Sequence, residues 1–429
     1  MPRSRNEWQV SSFRPTSLNI SNKVQTSVRP VDDDVDTRTP RKEIDTRHGN
    51  LLPHLEKANI DLTIVVTNPN LYYLTGSIQE GMLVISPECP GPVYMVKRVI
   101  DRAHFESPMD DVRPAVSPRK LGETLGITKI KRLGLELDTV PHAWVERLKA
   151  GIGEEVELFD VSATIRAVRS AKSPWEVARI EEASDQIDHA MERARLVLTE
   201  GMTELELAAE LERELRRQGH EGLVRMHRFG SEMHVGGVLS GLSATLPTWL
   251  QAVMGGSGLS PSIPHGASRR KIQRGEPVAV DLCGVSRGYL SDETRTFVIG
   301  QLPDEMAEVQ SATQEILRAM EAELRPGAHN EVVWMAAEAM AEEEGVLDGF
   351  MGVEETKMRF IGHGIGLELD ELPVLAEGVL GQIPEGAVVA IEPKVVIPGY
   401  GVLGEENTYH VSSAGVKQLT KAPPGPIEV

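Results

Sequence analysis

Residues 277–299 read PVAVDLCGVSRGYLSDETRTFVI. Apolar runs mark strand segments over 277–285 and 289–299, and each segment carries an aspartate, Asp281 and Asp292. Acids are depleted from apolar strands because an unpaired buried carboxylate is costly. Taken singly, either acid reads as a salt-bridged or turn carboxylate more readily than as a ligand. Two of them embedded in one sheet region need a shared source of positive charge.

The surroundings set the fold class. Ser173-Pro174-Trp175-Glu176 is a capping box, with serine at the N-cap, proline at the first helical position and glutamate three residues after the cap. Ile180, Ile187, Met191 and Ala194 then keep helical spacing, and Thr203 with Glu206 opens a second helix that ends at Gly219. Two further helices, over 304–326 and 330–344, precede strand segments over 387–397 and 407–413. The order of helix pair, strands, helix pair, strands predicts an α+β domain over 164–429, with helices covering a mainly antiparallel sheet. Ahead of it, a strand over 60–67, a hairpin in GMLVISPECPGPVYMV, a strand in KIKRLGLELD and a helix in HAWVERLKAGI predict a smaller α/β domain over 47–163. Residues 1–46 hold few large apolar side chains and no period, which predicts a disordered tail.

Composition narrows the class further. The chain has 429 residues, 40% apolar and 25% charged, as in an ordinary globular protein. No apolar run reaches the roughly 18–20 residues that span a bilayer, and MPRSRNEWQVSSF has no apolar core of a secretory signal. Cys89 and Cys283 are too far apart in sequence to form a disulfide framework or a metal knuckle. A cytoplasmic protein without membrane contact is expected. The net charge of −19, from 45 basic and 64 acidic residues, argues against a nucleic-acid partner.

Three more metal-ligand types stand in or beside strand segments: His363 in FIGHGIG, Glu392 in VVAIEPK and Glu406 in LGEENTYHV. Glu392 follows Val388 to Ile391 with no basic neighbour before Lys394. Alone, His363 reads as a satisfied core histidine. Together, four carboxylates balance two divalent ions, with an imidazole as neutral donor and room for a bridging hydroxide. Such an oxygen-rich set suits manganese, cobalt, iron or zinc more than copper. Thr294 and Arg295 follow Asp292 closely enough to hydrogen-bond ligand carboxylates. Gly362 and Gly364 are expected to let the backbone pass close to the metals.

The segments VDLCGVSRGYLSDETRTF, GHGIGLELDELP, AIEPKV and EENTYHV resemble those of the pita-bread metallopeptidases, in the family's order and across about residues 47–420. The resemblance implies a pita-bread catalytic domain preceded by a creatinase/prolidase-like N-terminal domain. It implies two divalent ions, manganese first. Asp281 would bind one, His363 and Glu392 the other, and Asp292 and Glu406 would bridge them. In the prolidase and creatinase branch the first domain helps form a dimer, so a homodimer is expected. Methionine aminopeptidases lack that domain. Glu406, followed by Asn407-Thr408, fits the family pattern, with Glu405 as the fallback. His265 falls where prolidase-like enzymes carry a substrate-contacting histidine, and His234 is a weaker candidate. The glycine-rich run over 254–264 lacks the ending of a phosphate loop and is expected to wall the site.

One position departs from the pattern. Peptidase members carry a second histidine seven residues after the first, and here that position is Asp370, a carboxylate that donates no hydrogen bond unless protonated. The expected activity is cleavage of an Xaa–Pro bond or related amide by a metal-bridging hydroxide, with Glu392 shuttling the proton. The alternative is a relative acting on a small non-peptide C–N substrate, as creatinase does; a non-catalytic binding module ranks last. Asp370 is the candidate specificity residue. It would stay protonated, pair with a cation of the substrate or of a nearby arginine, or point away into solvent and leave His265 to steady the oxyanion.

Overall fold

Short strands rich in apolar residues, alternating with helices, build the first half. The computed structural model describes residues 37–429. Strands β1 (Leu62–Val65), β2 (Gly81–Ile85), β3 (Val93–Val96), β4 (Val112–Pro114), β5 (Arg132–Leu135) and β6 (Glu157–Asp160) form one sheet in the order β4-β3-β2-β1-β5-β6. The β1–β2 and β2–β3 pairs are antiparallel, whereas β5 and β6 join in parallel. Helices α1 (Arg41–Lys57), α2 (Asn68–Thr75), α3 (Ile100–Glu106), α4 (Leu121–Leu125), α5 (His142–Ile152) and α6 (Ser162–Ser170) connect and cover them.

Two expected boundaries move. The tail assigned to 1–46 lies outside the described residues up to 36, but its last six residues form the start of α1. Ile44 is only 1% exposed there, because the helix turns it, Leu51 and Leu55 inward. The break placed at 163/164 falls inside α6, whose Ile165 is fully buried.

The second half opens with α7 (Pro174–Val197) and α8 (Glu204–Arg217). Both capping boxes form: Ser173 Oγ accepts from Glu176 N at 3.2 Å, and Thr203 Oγ1 accepts from Glu206 N at 3.2 Å. Strands β7 (Gly236–Ser240), β8 (Val278–Ser286) and β9 (Tyr289–Val298) follow, then α9 (Asp304–Glu323) and α10 (Asn330–Glu343). The remainder is β10 (Phe360–Gly364), β11 (Glu371–Ala376), β12 (Ala387–Ile391), β13 (Lys394–Ile397), β14 (Gly401–Gly404), β15 (Asn407–Ser412), β16 (Gly415–Gln418) and β17 (Ile427–Glu428). They form a sheet β17-β9-β8-β7, a sheet β11-β10-β12-β15-β16 and a ribbon β13-β14. Helix α7 lies close on β8 because Gly284 has no side chain; a Cβ there would stand 2.0 Å from the Ala183 carbonyl oxygen.

The segment 387–397, expected as one strand, is two strands in different sheets. The break is at Glu392-Pro393, since proline offers no N–H to continue a ladder. One apolar cluster joins the halves, taking Leu51, Tyr73 and Leu74 from the first and Val285, Tyr289, Ile365 and Leu367 from the second. Among the described residues no helix is long and apolar enough to cross a membrane.

Candidate metal centre

Strand register explains why residues far apart in sequence meet. In the β8–β9 pair Asp281 lies opposite Thr294 and Cys283 opposite Asp292. Side chains alternate along a strand, so Asp281, Cys283, Asp292 and Thr294 share one face. In the second sheet His363 lies opposite Ala390, and Ala390 opposite Thr408. Glu392 and Glu406 each stand two residues further along in the same direction, which puts both on the His363 face. A bridge between Thr294 and Glu406 joins the two sheets here, with Glu406 N donating to Thr294 O at 3.1 Å. Thr408 fastens the seam by donating to Asp292 O at 2.8 Å and accepting from Asp292 N at 3.1 Å.

Donor atoms of Asp292, His363 and Glu406 all lie within 4.8 Å of one another, a carboxylate–imidazole group able to hold an ion. The Glu406 oxygens are unequal. Oε2 accepts from Thr294 Oγ1 at 2.8 Å, whereas Oε1 is buried without a hydrogen-bond partner among the described residues. A buried, unsatisfied carboxylate oxygen among other ligand types is what a site for a divalent cation supplies. Glu392 Oε1 is 3.8 Å from His363 Nε2.

A cation of the chain's own enters the same cluster. Lys394 Nζ stands 2.6 Å from Glu392 Oε2, 3.0 Å from Glu406 Oε2 and 3.7 Å from Asp281 Oδ2, with 4% of its side chain exposed. Burial pushes the Asp281 carboxyl up to about 7; Lys394 pulls it down, and Glu406 and Glu392 push it up. Burial likewise raises Asp292 well above the carboxylate range, with Glu406 and Asp281 adding to it. Burial also acts upward on Glu406, but Lys394, His363 and the Thr294 hydroxyl together bring it below its ordinary value. Four acids crowd one dry seam, and the one ammonium that meets them among the described residues, Lys394, does not neutralise them.

Residues 178–413 match Metallopeptidase family M24. The chain belongs to metallopeptidase family M24. Membership implies divalent metal, in keeping with the Asp292–His363–Glu406 group. Residues 47–171 of this M24 protein match the Creatinase/Prolidase N-terminal domain. The Xaa-Pro dipeptidase of Pyrococcus horikoshii is 29% identical over 378 residues, 86% of this chain and 95% of that one. The putative dipeptidase YkvY of Bacillus subtilis is 26% identical, over 86% of this chain and 96% of its own. The crystal structure of the prolidase from Pyrococcus horikoshii superposes with a TM-score of 0.74 at 27% identity, covering 89% of this chain and all of that one. That of the Xaa-Pro dipeptidase from Bacillus anthracis, 24% identical, shares the fold with a TM-score of 0.76 over 90% of this chain and all of that one.

Other expected residues have varied settings. Thr294 bonds the Glu406 carboxylate, but Arg295 does not. Its guanidinium donates to the Glu406 main-chain oxygen at 2.8 Å, to Asn407 Oδ1 at 2.7 Å and to the Ala422 carbonyl at 2.8 Å. A side chain beginning one residue later leaves the opposite face of β9, so Arg295 ties main chain, Asn407 and, in a buried ion pair at 2.7 Å, Glu293, and leaves the ligands to Thr294. Glu405 points away from Lys394, accepting from Gln314 Nε2 at 2.8 Å and Gly425 N at 2.6 Å. Gly362 and Gly364 serve strand contact; a Cβ would meet the Ala390 oxygen at 2.4 Å or the Leu372 oxygen at 2.0 Å. His265 packs edge-on to Trp249, with ring centroids 6.2 Å apart, and no hydrogen bond or ion pair ties it to the cluster among the described residues. His234 is mostly exposed and pairs with Glu212 at 3.3 Å.

Asp370 is partly exposed, and among the described residues no ion pair to a side-chain cation involves it. Its Oδ1 accepts the His227 backbone N–H at 2.7 Å, and Leu369 N donates to Arg225 O at 2.8 Å, so the two segments lie side by side. The sequence reading missed Lys394, His227 and the buried group around Glu371. Glu371 pairs with Arg169 and, at 3.0 Å, with Lys172, which hold its carboxyl at about 2 against the opposing effect of burial. For Lys394 a signal existed, since a lysine two residues from an apolar-embedded glutamate shares its face.

Proposed function

We propose that this M24 protein is a divalent-ion-dependent hydrolase of Xaa–Pro dipeptides or closely related small amides. The observation that carries the reading is the dry seam where Asp292, His363 and Glu406 converge and leave one Glu406 oxygen unpartnered. Relatives named Xaa-Pro dipeptidase and matching nearly end to end support the substrate class. A divalent ion held there would lower the pKa of a water and polarise a carbonyl.

The chain's own groups divide the remaining work. Thr294 fixes the rotamer of Glu406, and the Thr408 hydroxyl fixes the β9 backbone at Asp292. Glu392 lies beside His363 with a tenth of its side chain exposed, so it is the carboxylate placed to take a proton from a water and return it to the departing amine. His265 is the candidate donor toward a substrate carboxylate from the 254–266 loop, and Asp370 acts on specificity by setting the loop at Arg225–His227.

A second reading is hydrolysis of a small non-peptide C–N bond. It is favoured by Asp370, which stands where peptidase members place a second histidine and is already bonded to the His227 N–H. One screen separates the readings: Xaa–Pro dipeptides, tripeptides and small amides, each with manganese, cobalt, iron and zinc added singly. Turnover of an Xaa–Pro dipeptide with any metal supports the first reading. Turnover confined to a non-peptide amide supports the second, and none with any metal counts against both.

A further inference from the structure

The centre contains a lysine whose position bears on how many ions it can take. Lys394 Nζ has three N–H bonds and three carboxylates around it, Glu392 at 2.6 Å, Glu406 at 3.0 Å and Asp281 at 3.7 Å. An ion bound to Asp281 and Glu406 would sit about 2.0–2.2 Å from their oxygens. It would then compete with the ammonium for the same lone pairs and face its charge across a few ångströms of dry protein. The lysine is also built in. Pro393 breaks the ladder just before it, and Gly404, opposite it on β14, leaves room for its stem; a Cβ at 404 would stand 2.8 Å from Lys394 Cγ.

The shared carboxylates divide their oxygens accordingly. Glu392 turns Oε2 to Lys394 and has Oε1 3.8 Å from His363 Nε2. Glu406 gives Oε2 to Lys394 and Thr294 and leaves Oε1 unpartnered. One compartment is filled by the ammonium, and the other has a free ligand atom.

We propose that the centre takes one divalent ion, on Asp292, His363 and Glu406, while the Lys394 ammonium holds the neighbouring position against a second. The proposal rests on the hydrolase reading only in requiring that an ion binds at all. The lysine gives fixed positive charge without an open coordination position. Were an ion held by Asp292, His363 and Glu406, activation of a water would fall to that ion alone, as in mononuclear hydrolytic sites with three protein ligands.

The test counts ions on the full chain. Wild-type protein is saturated with manganese(II), freed of excess by gel filtration, and examined by elemental analysis and electron paramagnetic resonance. Expected are about one manganese per chain and the six-line signal of an isolated ion. Lys394→Met should raise the count to about two with an exchange-coupled signal, and His363→Ala should bring it close to zero. Two coupled ions in the wild type would overturn the proposal and leave the hydrolase reading standing. So would a Lys394→Met protein that still holds one ion, or a His363→Ala protein that keeps it. No ion on the wild type with manganese, zinc or cobalt would overturn both. Should Lys394→Met fail to fold, the wild-type count and signal decide alone.

Discussion

Arg47 Nη2 lies 3.1 Å from Glu176 Oε1, and both side chains are almost fully buried. Glu176 thus does two things: its other oxygen caps α7 through Ser173 N at 2.8 Å, while this one anchors α1. Tyr289 at the head of β9 closes the triangle, donating to Glu176 Oε1 at 2.7 Å and accepting from Arg47 at 2.8 Å. Removing one partner of a buried pair leaves an uncompensated charge, so Arg47→Met should cost about 3–5 kcal/mol in urea denaturation. A loss under about 1 kcal/mol would show that the triangle is not a stabilising contact.

Glu371 gives a pH signature. Its folded-state carboxyl is held at about 2, below the ordinary 4.5, so its contribution is complete above pH 4.5 and fades as pH falls toward 2. That contribution is on the order of 3 kcal/mol. Glu371→Gln should therefore be less stable than wild type by a constant margin from pH 8 to 5, and the margin should narrow below 4.5. Denaturant midpoints across that range check it, and a margin that widens in acid would refute the assignment.

Glu392→Gln keeps the shape of the side chain and removes its basicity. Turnover on the best substrate found should fall about a hundredfold or more, with circular dichroism and thermal midpoint close to wild type. Unchanged turnover would remove Glu392 from proton transfer.

Much of the fold was legible because period and capping are local properties. Serine, proline and glutamate at 173–176 announced α7, and the embedded acids of β8 and β9 announced that something positive would meet them. Register then explains why Glu392 and Glu406 flank His363. The place of Lys394 in the cluster was not foreseen, because a balance of four carboxylates against two divalent ions leaves no role for a lysine. His227 could not be found at all: it sits on an irregular loop, and only the folded chain brings its N–H to Asp370.

That contact gives a fourth expectation. Asp370→Ala frees a half-buried N–H, at a cost of about 1–3 kcal/mol, and amide exchange at His227 should accelerate at least tenfold. Asp370→Asn keeps an acceptor and should preserve protection. Asp370→His, assayed in parallel on Xaa–Pro peptides and on the native substrate, reports specificity. Gain on the first with loss on the second assigns that role to position 370, and equal changes on both deny it.

The start of α1 can be weighed directly. A chain beginning at Thr37 keeps the buried Ile44, whereas one beginning at Arg47 loses it. Burial of that side chain alone is worth about 1.5–3 kcal/mol. The shorter chain should melt several degrees lower, and equal midpoints would mean that the first turn of α1 adds nothing.

The apolar cluster that runs from Leu51 and Tyr73 into Tyr289 and Leu367 has a consequence for how this molecule comes apart. A catalytic half expressed alone would expose the surface that Leu51, Tyr73 and Leu74 now cover, and would associate with itself before it could be assayed. Neither half can melt and leave the other at full strength. The shared cluster couples the two halves, so calorimetry should record a single endotherm in which the early α/β layer and the late sheets disappear together.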